Sequence, residues 1–274
     1  MPQGHAFMPE GHALHRIADD HTKWFAGETL DIESPQGRFA KEAAILSGSR
    51  LVAAEAFGKH LFYHWSVARK QALTTMHVHL GLYGKFHTKR VPLAEPKGAV
   101  RVRVVGSNRG FDLNGPNCCE LINKPKFNAI CARLGPDPLR RDADPLVAWN
   151  RIHRSRAAIG TLLLNQSVIA GIGNIFRAEI LFQLGIHPDR LGKEMSQEDF
   201  ERLWSLTVKL MTIGKQHNRI ITAKSEETGK ERSRLRDNER LLIYKKPYCS
   251  RCAAEVTFWD QGARTIYACE RCQT

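Results

Sequence analysis

Hydrophobic and polar positions change period twice along the chain. Residues 8–24 alternate at helical spacing, with Leu14, Ile17 and Ala18 on one side, and predict a helix. From about 28 to 122 the period falls to two. The runs "RLVAAEAFGKHLFYHWSV", "ALTTMHVHLGLYGKF" and "AVRVRVVG" read as short strands punctuated by Gly and Pro. The stretch "RLGPDPLRRDADP", 133–145, is rich in proline and charge and reads as a hinge, placed at 133–148. Helical spacing then returns in "AIGTLLLNQSVIAGIGNIFRAEILFQLGIHP" and "SQEDFERLWSLTVKLMTIGKQ". Residues 222–240 are polar and highly charged, a solvated loop by composition, and 246–274 forms a cysteine-paired tail. The pattern is that of an α+β multidomain chain with a strand-rich segment at 8–132 and a helical one at 149–245.

Composition narrows the class. At 274 residues the chain has room for roughly two domains, and 42% hydrophobic content suffices for packed cores. The formal charge of +13, with a pI near 9.6, favours a polyanionic partner, nucleic acid being the commonest. A merely basic protein would look the same. No basic segment followed by an apolar run opens the chain, and no stretch is apolar enough to span a membrane. The expectation is a cytosolic protein with reduced thiols.

The tail carries the clearest chemistry. "CSRC" and "CERC" hold Cys249, Cys252, Cys269 and Cys272, with sixteen residues between the pairs. Two such knuckles joined by a hairpin suit one tetrahedral, structural Zn²⁺. A reduced compartment disfavours two disulfides, and the duplication disfavours a redox motif. So short a segment needs the metal to fold. Arg264 lies in the hairpin, where it is either a phosphate contact or an ordinary solvated turn residue. Cys118, Cys119 and Cys131 lack knuckle spacing and read as small buried apolar residues.

In "NQSVIAGIGNIFRAEILF" the turn Gly171-Ile172-Gly173-Asn174 separates two helical segments. Asn174 is placed to cap the second, whose amide donors and dipole end favour a phosphate. Any helical hairpin with a glycine turn reads alike. His77 and His79 share a strand face and read as structural histidines, with a metal pair the alternative.

Taken in order, "MPEGH", "GKHLF", "HLGLYGKF", "LGPDPL", "QSVIAGIGNIFRAEILF" and "ARTIYACERCQ" resemble the formamidopyrimidine-DNA glycosylase and endonuclease VIII family, from about residue 8 to the end. The resemblance implies an N-terminal β-sandwich with flanking helices, a helix-two-turn-helix domain and a C-terminal zinc-finger β-hairpin. It implies a monomer, in a bacterial cytoplasm, acting on double-stranded DNA with oxidised bases or abasic sites. It implies Pro9 as an amine nucleophile, Glu10 as the acid that protonates the opening sugar, and Lys59 and Arg264 as phosphate contacts assisting elimination. Asn174, and more loosely Arg156, match phosphate contacts. Leu82 and Tyr83 occupy the wedge loop, where they match the endonuclease VIII branch, and no Arg-Phe pair stands in "FDLNGPNCCEL". Both departures favour oxidised pyrimidines; strand packing is the plainer role for Leu82 and Tyr83. A purine-directed glycosylase and a catalytically silent damage-binding protein are the alternatives.

The resemblance gives meaning to the opening, where Met1-Pro2-Gln3-Gly4-His5 is nearly repeated as Met8-Pro9-Glu10-Gly11-His12. An internal proline nitrogen is a tertiary amide and cannot attack. Pro9 therefore serves only as a first residue. Either Met8 is the initiator and residues 1–7 a non-native extension, or the extension is real and is trimmed or abolishes catalysis.

Overall fold

The computed structural model describes residues 9–68 and 71–274. Residues 1–7, the expected extension, lie outside the described residues. The described chain forms two compact units: Pro9 with Leu14–Ala132, and Glu10–Ala13 with Arg133–Thr274.

Helix α1 (Gly11–Phe25) belongs to the first unit from Leu14 on, and buries Leu14, Ala18, His21 and Phe25 along one stripe at spacings of four, three and four. Ile17, expected on that stripe, is half-buried at its edge. The strands are β1 (Thr29–Glu33), β2 (Ser49–Phe57), β3 (His60–Ser66), β4 (Thr74–His79), β5 (Lys85–Arg90), β6 (Val100–Val105), β7 (Arg109–Asn114) and β8 (Cys118–Ile122). Helices α2 (Ala40–Leu46) and α3 (Lys124–Ala132) flank them. The order is β5-β7-β6-β1-β2-β3-β4-β8, all antiparallel.

Strand β1 makes this a sandwich. Thr29 and Leu30 pair with β2, while Asp31, Ile32 and Glu33 pair with β6, so one short strand belongs to both layers. Leu61, Tyr63 and Trp65 of β3 and Val102, Val104, Phe111 and Leu113 of β6 and β7 are buried between them. Tyr63 and Phe111 meet across the layers with ring centroids 6.2 Å apart. Each such side chain contributes about 1.5–3 kcal/mol on burial. The strands are not all one-sided. Phe62 points to the outer face of β3 and is buried against Ile122, Ile130 and Phe127 of β8 and α3, which explains the nearly unbroken apolar run "HLFYHW". A bulge between Leu51 and Ala53 moves the buried set of β2 from Ser49 and Leu51 to Ala54 and Ala56.

The second unit holds α4 (Pro145–His153), α5 (Ile159–Leu164), α6 (Asn174–Leu184), α7 (Gln197–His217), the single turn α8 (Ser225–Thr228) and a hairpin of β9 (Thr257–Gln261) and β10 (Arg264–Ala268). Local chemistry sets the helix ends. Asp144 caps α4, accepting from Leu146 N–H at 2.9 Å with Pro145 in the first turn. Ser196 caps α7, accepting from Asp199 N–H at 3.1 Å, and Asn218 ends it in the left-handed region at φ 52°. Helix α6 is buried on every side from Ile175 to Phe182. One face packs on α5 and α7, and Ala178 and Phe182 pack on the cysteine hairpin through Val256 and Ile266.

Two stretches read from composition gain detail here. The stretch read as a hinge is tucked in: Gly135–Pro138 is buried, Gly135 N–H donates to Gln166 O at 2.9 Å, and Ala170 N–H donates to Pro136 O at 3.1 Å. Prolines and a glycine pack a loop closely as readily as they free one. The 222–240 segment is largely exposed, as its charge implies, but Leu235 is buried in the core beneath the hairpin and Arg236 and Lys230 pair with Glu239.

Candidate functional site

Helix α6 presents the joint of the helical hairpin, and a side chain of the protein itself occupies its N-terminus. The Glu10 carboxylate, 3% exposed, accepts from Gly173 N–H and Ile175 N–H at 2.8 Å each and more distantly from Phe176 N–H at 3.4 Å. Amide donors at a helix start, with the dipole's positive end, stabilise a carboxylate as they would a phosphate. The anion seat read from the glycine turn thus exists, and Glu10 fills it. Gly173 makes the approach possible, because a Cβ there would lie 2.4 Å from the Glu10 carboxyl carbon.

The helix cap is Gly173, not Asn174 as expected from the sequence. Asn174 is the first helical residue, and its side chain turns toward β10. Its amide donates to Thr265 O at 2.9 Å and accepts from Arg177 at 2.5 Å. Arg177, fully buried, also reaches Gln261 O at 3.0 Å, Gly160 O at 3.2 Å and Arg264 O at 3.3 Å. Burial lowers its pKa to about 10, which leaves it charged at neutral pH. One guanidinium therefore joins α5, α6 and the hairpin that carries Arg264.

Arg264 is exposed at the tip of that hairpin. It pairs with Gln261 across a two-residue turn, Gly262 and Ala263, both with positive φ, the geometry of a type I′ turn. At the other end, Cys249, Cys252, Cys269 and Cys272 bring their sulfurs within 4.8 Å of one another. Cys249 and Cys272 are 3.8 Å apart and Cys252 and Cys269 3.5 Å. Four thiolates about 2.3 Å from a tetrahedral Zn²⁺ would sit about 3.8 Å apart, so the donor set fits that ion. Arg156 lies exposed in the loop before α5, bound to none of these groups among the contacts of the described residues.

In the first unit, Pro9 is half-buried, immediately before Glu10. Lys59 sits in the tight turn Gly58-Lys59 between β2 and β3, half-buried. The pKa of His79 is lowered, chiefly by burial and further by the Lys59 charge. Leu82 and Tyr83 lie in the turn between β4 and β5 and are 42% and 75% exposed. That exposure removes strand packing as their role.

Sequence reasoning passed over two buried charges of α6, Arg177 and Glu179. Glu179 accepts from Leu242, Ile243 and Tyr244 N–H at 2.8–2.9 Å and from the Thr222 hydroxyl. The available signal was an Arg and a Glu inside a helix apolar on all sides, "IFRAEILF". His77 is buried, whereas Cys118, expected as a small buried apolar residue, is only half-buried and contacts His77 and Glu120 rather than apolar neighbours alone.

Among the described residues no helix is long and apolar enough to cross a membrane. Comparison with known proteins agrees with the geometry. Residues 8–114 match the formamidopyrimidine-DNA glycosylase N-terminal domain and 134–225 the formamidopyrimidine-DNA glycosylase H2TH domain. The chain is 43% identical over 273 residues to Endonuclease 8 1 of Mycobacterium tuberculosis, covering 97% of this chain and all of that protein. It is 30% identical to the formamidopyrimidine-DNA glycosylase of Thermomicrobium roseum, over 82% of each chain. The fold matches that of Lactococcus lactis Fpg complexed with DNA containing an abasic site, with a TM-score of 0.78 at 19% identity over 96% of this chain and 99% of that one. The chain belongs to the formamidopyrimidine-DNA glycosylase and endonuclease VIII family of DNA glycosylases.

Proposed function

We propose that the protein is a bifunctional glycosylase and lyase that removes oxidised bases, pyrimidines above all, from double-stranded DNA through the nitrogen of Pro9. The observation that carries this reading is the Glu10 carboxylate, seated on the amides of the α6 N-terminus one residue after Pro9. Support for the partner comes from the charge of +13 and from Lactococcus lactis Fpg, whose structures with the same fold hold DNA containing an abasic site or an oxidised pyrimidine.

As a first residue, Pro9 is a secondary amine. Its nitrogen attacks C1′ of the damaged nucleotide, the new C–N bond forms and the glycosidic bond breaks, and the base leaves with the electron pair. Glu10 takes the proton that the Pro9 nitrogen sheds after the C–N bond forms and gives it to the ring oxygen as the sugar opens. The resulting iminium cannot lose its positive charge by deprotonation at nitrogen, so it draws electrons from the C2′–H bond. Loss of that proton expels the 3′ phosphate, and a second elimination expels the 5′ phosphate. Lys59 in the first unit, with Arg264, Asn174 and Arg156 in the second, supplies positive charge or donors to phosphate oxygens. Leu82 and Tyr83 fill the gap left by the flipped nucleotide, and their resemblance to the endonuclease VIII branch favours pyrimidine lesions. Zn²⁺ held by the four cysteines supplies rigidity to the hairpin that presents Arg264. Residues 8–132 form the catalytic domain, 149–245 the DNA-binding domain and 246–274 the zinc finger. The match to the N-terminal family domain begins at residue 8, which supports Met8 as the initiator.

The test is strand cleavage of duplexes carrying thymine glycol or oxidised guanine by a chain beginning at Pro9. Faster cleavage at thymine glycol is expected. Faster cleavage at oxidised guanine would transfer the chain to the purine-directed reading, and tight binding without cleavage would make it a damage-binding protein.

A further inference from the structure

The outer face of the β3-β4-β8 layer gathers a second set of ligand-type side chains, far in sequence from the cysteine knuckles. His77 and Glu120 stand directly opposite each other on β4 and β8, and Cys118, two residues before Glu120, shares their face. His77 Nδ1, Cys118 Sγ and Glu120 Oε1 lie within 4.8 Å of one another. The three separations are 3.4 Å for Nδ1 to Oε1, 3.7 Å for Sγ to Nδ1 and 3.4 Å for Sγ to Oε1.

The distance between His77 and Glu120 separates two readings, while the two sulfur distances suit either. A hydrogen bond from a ring N–H to a carboxylate is normally about 2.7–3.2 Å long, and 3.4 Å is slack for one. A tetrahedral zinc ion with bonds of about 2.0 Å to N and O and about 2.3 Å to S requires edges of about 3.3 Å between N and O and about 3.5 Å from each of them to S. The observed triangle lies within about 0.2 Å of those edges, and the sulfur separations of the knuckles within about 0.3 Å of theirs.

Each ring nitrogen and carboxylate oxygen left over is also held. His77 Nε2 meets His60 Nδ1 at 2.9 Å, so with a hydrogen on Nε2 the Nδ1 lone pair faces the cluster. Glu120 Oε2 meets Lys126 Nζ at 2.5 Å, which leaves Oε1 for the cluster. Phe62 stacks on the His77 ring at 5.1 Å and restricts its rotation. Phe62 supplies an apolar floor beneath buried His77, while half-buried Cys118 and Glu120 leave a path for an ion and a water.

We propose that this face of β4 and β8 is a second metal site, taking a zinc-class divalent ion through His77 Nδ1, Cys118 Sγ and Glu120 Oε1, with water as the fourth ligand. The chemistry is borderline-soft, one thiolate, one imidazole and one carboxylate, which excludes magnesium and calcium as its preferred ions. An ion there joins β8, the edge strand of its sheet, to β4. With a water-accessible fourth position, it exchanges more readily than an ion enclosed by four thiolates.

Metal content is measured on the full-length chain equilibrated with Zn²⁺ alone and freed of unbound ion. Two ions per chain are expected. Cys118→Ser and Glu120→Gln should each retain one, with unchanged far-ultraviolet circular dichroism, and Cys252→Ser should lose the other. With Co²⁺ in place of zinc, a thiolate-to-metal absorption band should vanish in Cys118→Ser while the four-thiolate bands persist. One ion per chain in the unmodified protein overturns the proposal. So does a second ion that survives both Cys118→Ser and Glu120→Gln. Should Cys118→Ser fail to fold, Glu120→Gln and the cobalt spectrum of the unmodified chain decide by themselves.

Discussion

The Glu10 carboxylate accepts the Ile175 amide N–H at 2.8 Å, which ties the residue after Pro9 to the first turn of α6, 165 positions along the chain. A loop closed over that distance is ordered only if its ends are held well. Here the second carboxylate oxygen is held by Gly173 N–H at 2.8 Å. Gly173→Ala would put a methyl 2.4 Å from the carboxyl carbon and displace it. We expect base excision to fall about 100-fold, the usual consequence of a displacement near 1 Å in a catalytic group. Single-turnover excision measured beside circular dichroism checks this; an unchanged rate in a folded variant would separate Glu10's position from its role.

Arg177 holds the hairpin to the helices through the carbonyls of Gln261, Gly160 and Arg264. Lysine keeps the charge but not the fork, and leaves some of these buried acceptors unmet. Arg177→Lys should cost about 1–3 kcal/mol in urea unfolding and weaken binding to an abasic duplex. Equal stability would show that the fork is dispensable.

Some of this was legible in the sequence and some was not. The knuckles were, because a thiolate set with short spacing has few other uses. The strand region and the helical hairpin were, because period two and period 3.6 leave different traces. Asn174 was misread by one position: the cap needs extended backbone, and Gly173 supplies it at φ −122° while Asn174 turns to β10. The stretch from 133 is proline- and charge-rich and begins where the two units divide, but composition records turn formation, not that Gly135–Pro138 is packed closely. Arg177 and Glu179 hold loops more than forty residues away, and His77 meets Cys118 41 residues on. Only the fold brings such pairs together, so no local pattern announces them.

Leu82 and Tyr83 are exposed, and their truncation should hardly touch stability. Leu82→Ala and Tyr83→Ala are expected within about 0.5 kcal/mol of the unmodified protein. Excision from duplex should fall about tenfold or more, since the wedge offsets unstacking that costs a few kcal/mol, while a single-stranded lesion should be spared. Equal loss on both substrates would contradict the wedge.

His21 sets an acid limit on the first unit. It is 2% exposed, stacks on Phe111 at 4.5 Å and bonds Tyr63 and Thr88 at 2.9 and 3.2 Å. Burial lowers its pKa from 6.5 to about 3. The folded state thus keeps it neutral while the unfolded state takes up a proton below pH 6.5. Its contribution is complete above pH 6.5 and is lost progressively as pH falls toward 3, about 2 kcal/mol by pH 5. His21→Phe should lower stability at pH 7, because Tyr63 loses its partner, and should flatten the slope between pH 6.5 and 5. Urea unfolding across that range measures both.

Removing metal from the four-cysteine end should release the hairpin without unfolding the sandwich. In a chelator, or in Cys252→Ser, protease sites within 246–274 should become accessible and the second elimination should slow more than base release. Protection unchanged by chelation would mean that packing on α6 alone holds the hairpin.

Attack on DNA by the Pro9 nitrogen leaves the protein and the sugar joined through a reducible iminium. Borohydride reduction of a chain beginning at Pro9, mixed with an abasic duplex, tests it most directly. A covalent protein–DNA adduct is expected, mapped by mass to the N-terminal peptide at Pro9, and none from a chain that retains residues 1–8. No adduct from the Pro9 chain, or an adduct carried by a lysine instead, would contradict it.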